Sequence, residues 1–128
     1  MTDSLNILSV GPASLSILVG DALSDSWKFQ LTIAKDFRQL WLTPKDVCVD
    51  VAVLHCTLAP LELEDASRFI RRQWPSARIL VIRPDSEFLD DALYDDRVLP
   101  AVASQVLLPT IERLTGRRHE GPTRKLDL

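Results

Sequence analysis

The stretch VCVDVAVLHC, residues 47–56, decides the fold. It is almost entirely apolar, rich in valine, and interrupted mainly by Asp50. A strand that is buried on both faces of a sheet has this composition, because neither of its faces meets water. The stretch therefore predicts the central strand of a sheet that is covered on both sides.

Outward from this strand, short apolar runs alternate with helical patterns. We predict further strands over 5–10, 29–34, 77–82 and 97–99, and helices through 13–23, 37–41, 63–74, 88–93 and 102–114. The run FQLTIA, residues 29–34, alternates apolar and polar side chains, which is typical of a half-covered strand near a sheet edge. Strands that alternate with helices pair in parallel through right-handed crossovers. The pattern predicts a doubly wound, three-layer α/β domain with five strands and five helices.

Length and composition restrict the class of protein. The 128 residues carry 15 Lys and Arg against 18 Asp and Glu, a formal charge of −3. This slightly acidic balance makes nucleic-acid binding an unlikely main activity. The sequence has no apolar run long enough to span a membrane, and its start lacks the pattern of a signal peptide, so we expect a cytoplasmic protein. We assign residues 1–116 to one domain and 117–128 to a flexible tail or linker.

The order and spacing of several segments resemble the receiver domain of bacterial response regulators. The matching segments are DVAVL (50–54), CTLAP (56–60), FIRRQWP (69–75) and ILVI (79–82). The resemblance extends over almost the whole chain, from Leu5 to Leu114. It implies a CheY-like, flavodoxin-type sheet of five parallel strands in the order 2-1-3-4-5. It also implies a signalling module of the two-component, phosphorelay type rather than an enzyme.

The chain departs from the receiver pattern at the residues that bind metal and accept phosphate. Receivers have a pair of acidic residues after the first strand, and here Gly11 and Pro12 stand there. The phosphoacceptor aspartate would lie four residues before Pro60, and that residue is Cys56, preceded by His55. A thiol and two backbone carbonyls are poor ligands for Mg²⁺, which prefers carboxylate oxygens.

Two further receiver positions have changed. The Thr or Ser after the fourth strand is matched by Arg83, and the Lys after the fifth strand by Leu99. Phosphoryl transfer needs a nucleophile and cationic groups that neutralise the phosphoryl oxygens. We therefore predict a degenerate pseudo-receiver that is not phosphorylated by the family's route and has no metal or cofactor. If Arg83 reaches into the former phosphate pocket, it supplies a permanent positive charge that fixes one signalling state; a salt bridge or plain exposure is the alternative.

Two other interpretations use different residues. Cys56 with Arg83 could serve a small flavodoxin-like ligand-binding or redox domain, although adjacent strand residues face opposite ways, so His55 is a poor base for Cys56. A buried free cysteine that acts as a small hydrophobe is the commoner case. Phosphorylation at Asp50 or Asp36 is the third interpretation, and Asp50 comes at the start of its strand, far from the expected crevice.

The remaining prediction concerns partners. The candidate interaction surface comprises Glu87, Asp90, Asp91, Tyr94, Asp95 and Val106. In receivers the corresponding region forms an output or dimer surface, so the resemblance implies a protein partner, a covalently linked output or sensor domain, or a homodimer through 86–116. The alternative for the acidic residues is a solvated helix face. We expect no membrane or nucleic-acid partner for this domain.

Overall fold

The structure, a computed structural model, describes residues 5–12, 29–44, 46–55, 58–83, 94–100 and 103–116. The strands are β1 (Leu5–Val10), β2 (Phe29–Ala34), β3 (Val51–Leu54), β4 (Arg78–Ile82) and β5 (Asp96–Val98). The helices in the described ranges are α1 (Phe37–Trp41), α2 (Pro60–Gln73) and α3 (Ala103–Thr115). The helices predicted through 13–23 and 88–93, and the predicted tail, lie outside these ranges.

The five strands form one parallel sheet in the order β2-β1-β3-β4-β5. This order confirms the predicted fold class, with β3 at the centre and β2 at one edge. The register pairs Val10 with Leu54 and Leu54 with Val81, so β1, β3 and β4 end at the same side of the sheet. The residues that follow these three strands are therefore brought together at one crevice.

Side chains of the central strands alternate between two separate cores, as expected for a sheet covered on both faces. Ala52 and Leu54 of β3 belong to the core that packs against α1 and α2. Val51 and Val53 belong to the core that packs against α3. Helices therefore lie on both faces of the sheet, which confirms the three-layer arrangement.

The two long helices follow their sequence patterns closely. In α2 the buried side chains Leu63, Ala66 and Ile70 recur at helical spacing, and the helix begins earlier than predicted, at Pro60. Proline suits this first position because its missing N–H has no helical acceptor there. Helix α3 passes through the exposed Pro109 without ending, at the cost of one backbone hydrogen bond. No helix in the described ranges has the length and apolar character needed to cross a membrane.

The central strand is shorter than predicted, because β3 covers only Val51–Leu54 rather than 47–56. Before it, the Val47 N–H donates to the Pro44 carbonyl at 3.2 Å, which forms a turn. The Val47 carbonyl accepts from the Trp74 indole N–H at 2.6 Å. The Val47 backbone groups are thus used outside the ladder. Val49 packs against the α2-side core, whereas Cys48 is exposed, which corrects the prediction of a strand buried on both faces at this end.

Candidate functional site

The candidate site lies where β1, β3, β4 and β5 end. Gly11 and Pro12 follow β1, His55 follows β3, Arg83 follows β4 and Leu99 follows β5. Cys56, the position matched to the phosphoacceptor, lies outside the described residues. The crevice in parallel α/β sheets opens at these carboxyl ends, so the topology gathers the residues at the place where such domains bind ligands.

His55 is held by a buried hydrogen bond to β1. Its Nε2 atom lies 2.7 Å from the Ser9 Oγ atom, and both residues are almost completely buried. Burial lowers the pKa of His55 from 6.5 to about 4, because the charged imidazolium is poorly solvated there. The imidazole is therefore neutral at neutral pH and supplies no positive charge to the crevice.

The His55 side chain packs closely against Gly11. The φ angle of Gly11 is +151°, a backbone conformation that residues other than glycine rarely adopt. A Cβ atom at this position would lie 2.8 Å from the His55 Cβ atom and 2.9 Å from its Cδ2 atom. No carboxylate therefore fits at position 11 while His55 occupies this place.

Arg83 turns its side chain inward rather than toward solvent. It is only 2% exposed, and its Nη1 atom donates to the Leu58 carbonyl at 2.6 Å. Leu58 lies in the loop between β3 and α2 and packs in the core beneath α2. The guanidinium thus contacts the loop that carries position 56.

The described hydrogen bonds of His55 and Arg83 lie on opposite faces of the sheet. His55 bonds to Ser9, which shares its side of β1 with Ile7 of the α3-side core. Arg83 instead bonds to Leu58 of the core on the opposite, α2 side.

Leu99 brings an aliphatic side chain to the end of β5, where the resemblance expects lysine. It is 42% exposed, and its peptide bond to Pro100 is trans. An aliphatic group cannot pair with an anion. Within the described ranges, His, Cys, Asp and Glu form no group of three or more that could hold a metal ion.

Asp50 and Asp36 both serve the local structure. Asp50 precedes β3, at the opposite end of the sheet from the crevice, and its Oδ2 atom accepts from the Asn6 backbone N–H at 2.8 Å. The side chain of Asp36 caps α1 by accepting from the Gln39 N–H at 3.0 Å. The position of Asp50 agrees with its expected distance from the crevice.

Three residues of the predicted interaction surface are described, while Glu87, Asp90 and Asp91 lie outside the described ranges. The Arg97 guanidinium lies over the Tyr94 ring, with its Cζ atom 6.0 Å from the ring centre. Asp95 is within 3.3 Å of Arg71 and also accepts the Ile79 N–H at 2.7 Å. Val106 is partly buried against the α3-side core. These contacts serve the domain itself, and the use of this surface by a partner stays a prediction.

Sequence reasoning missed Ser9 as a member of the site. The available signal was a single hydroxyl inside the apolar strand LNILSV, on the face that it shares with Ile7. A buried polar side chain needs a hydrogen-bonding partner, and in this fold the neighbouring strand supplies His55. The distance of 46 residues between the two along the chain hid the pair.

Comparison with known proteins places this geometry in a known fold. No protein-family profile matches the chain, and no curated protein sequence matches it. A signal receiver domain of an HD domain-containing protein from Pseudomonas fluorescens superposes with a TM-score of 0.75 at 16% identity, over 89% of this chain and 96% of its own.

Two other solved structures agree. A chemotaxis response regulator of Vibrio cholerae gives a TM-score of 0.72 at 18% identity, over 88% of this chain and 99% of its own. A response regulator from Thermotoga maritima gives 0.70 at 17% identity, over 89% and 99%. The chain therefore has the fold of response-regulator receiver domains.

Proposed function

We propose that the chain is a receiver-like signalling module that acts by protein–protein interaction and is not phosphorylated by the route of ordinary receivers. The packing of His55 on Gly11 is the observation that carries the proposal. The resemblance expects a metal-binding carboxylate after β1, and the ring of a neutral histidine fills the space that such a side chain would need. Without carboxylate oxygens the crevice offers Mg²⁺ no strong ligand at this position.

The other substitutions support the same proposal. Phosphoryl transfer to an aspartate is catalysed by positioning and by cations that neutralise the transferred group. Position 56 is a cysteine, position 99 an aliphatic residue, and the cation at position 83 is hydrogen-bonded to a backbone carbonyl. The residues that would attack, hold and neutralise a phosphoryl group are thus replaced together.

Mass spectrometry of the intact chain tests this proposal. The protein is incubated with acetyl phosphate and Mg²⁺, beside a receiver domain that carries the acidic pair, the acceptor aspartate and the lysine. We expect the control to gain the mass of one phosphoryl group and this chain to keep its mass. A phosphoryl adduct on this chain would refute the proposal, and peptide mapping would then identify the acceptor.

The interaction part of the proposal concerns a protein partner, a linked output or sensor domain, or a second copy. The surface that we propose for it is the predicted one, from Glu87 to Val106. Sedimentation analysis tests the homodimer: an association that Asp90→Lys and Asp91→Lys abolish supports contact through this surface. An association that persists in both variants places the contact elsewhere.

A further inference from the structure

Arg83 connects three parts of the crevice. Its backbone N–H donates to the Val98 carbonyl of β5 at 3.1 Å. Its side chain donates to the Leu58 carbonyl at 2.6 Å and is almost fully buried. One residue at the end of β4 is thus fixed to β5 by its main chain and to the β3–α2 loop by its side chain.

The β3–α2 loop is held at both of its ends. The His55 N–H donates to the Val10 carbonyl at 3.1 Å, which continues the pairing of β3 with β1. The Leu58 N–H donates to the His55 carbonyl at 3.2 Å, and the Leu58 side chain is buried. The backbones of His55 and Leu58 are therefore both held by hydrogen bonds, and Arg83 adds a second one to Leu58.

The hydrogen bond from Arg83 to Leu58 should be a strong and lasting one. Hydrogen bonds from charged donors contribute more than those between neutral groups, and a buried carbonyl that loses its donor is costly. The bond joins two parts of the same chain. No ligand has to arrive for it to form.

We infer that Arg83 is a positioning residue that locks Leu58, at the α2 end of the β3–α2 loop, in one position, so that the module presents a single signalling state without any phosphoryl group. The signalling meaning of the lock rests on the proposed function, whereas the lock itself is a property of the fold. A loop held by its own chain gives partners a constant surface.

Hydrogen exchange of the full chain, followed by mass spectrometry, tests the inference. Arg83→Met keeps the aliphatic stem and removes the donors. We expect the amides of the segment 55–60, among them the hydrogen-bonded N–H groups of His55 and Leu58, to exchange roughly ten- to hundredfold faster in this variant, while β1 and α3 keep their protection. The matched control is Arg78→Met, at the exposed opposite end of the same strand, which should leave 55–60 unchanged.

Each outcome decides the matter. Unchanged exchange of 55–60 in Arg83→Met would overturn the lock. If Arg83→Met loses protection throughout the chain, Arg83→Gln is measured instead, because it keeps an N–H donor on a shorter side chain. Faster exchange confined to 55–60 in Arg83→Gln supports the lock. Equally faster exchange throughout that variant would overturn it. Hydrogen exchange is measured without phosphodonor or Mg²⁺. A phosphoryl adduct in the mass-spectrometry experiment would therefore refute the proposed function without affecting the exchange result.

Discussion

Acidification should destabilise the domain through His55. In the folded chain its pKa is about 4, against 6.5 for an ordinary histidine. Below pH 6.5 the unfolded chain binds a proton that the folded chain does not, so stability falls as the pH falls toward 4. The full pKa difference corresponds to about 3 kcal/mol, and the part lost between pH 7 and pH 5 is about 2 kcal/mol. The group is almost fully buried, so solvent screening does not reduce this figure much.

Urea unfolding at pH 7 and pH 5 measures the effect. Carboxylates also titrate in this range, so the useful quantity is the difference between the wild-type chain and His55→Gln, which cannot gain a proton there but can still bond to Ser9. We expect the wild type to lose about 2 kcal/mol more than the variant. His119→Gln, at the only other histidine, should behave as the wild type does. Equal losses in the wild type and in His55→Gln would refute the idea that a neutral buried imidazole exists here.

Two further predictions concern the stability of the fold, and a third concerns the reactivity of Cys56. Gly11→Ala should lower the free energy of unfolding, measured in urea, by roughly 3 kcal/mol, because of backbone strain and the clash with the His55 ring. Gly116→Ala, whose added Cβ meets no atom of the described residues within 4 Å apart from its chain neighbours, should cost about 1 kcal/mol. Equal losses would contradict the clash. Asp50→Ala should cost about 1–3 kcal/mol in the same assay, since it removes the acceptor of a backbone N–H, and no loss would show that this bond is not stabilising. In a Cys48→Ser chain, Cys56 should react with iodoacetamide no faster than a free cysteine at neutral pH; a much faster thiol would favour the redox interpretation.

The fold could be predicted because its signals are local. The edge position of β2 is visible in the alternation of 29–34, and the central place of β3 in the doubly apolar run that contains Val51–Leu54. The limits of that strand could not be predicted, because the turn at Val47 and its bond to Trp74 depend on contacts made after folding.

The site could be predicted as a set of positions but not as a set of contacts. Counting from Pro60 places His55 and Cys56 at the end of the third strand, and in the structure the strand ends one residue before His55. The residues next to Arg83 in the sequence do not predict whether its side chain faces water or the interior, because a side chain at a strand end can turn either way. Its partner Leu58 is 25 residues away along the chain, and only the folded sheet brings the two together.

The close fit between Gly11 and His55 also constrains how this chain can change over generations. A carboxylate introduced at position 11 alone would meet the imidazole ring and an unsuitable backbone angle, so the first mutational step toward a metal-binding crevice passes through a damaged protein. A smaller residue must replace His55 beforehand, and that change by itself removes the buried hydrogen bond between Ser9 and His55. A carboxylate at position 11 would thus need coordinated substitutions at positions 11 and 55, because neither change is tolerated alone.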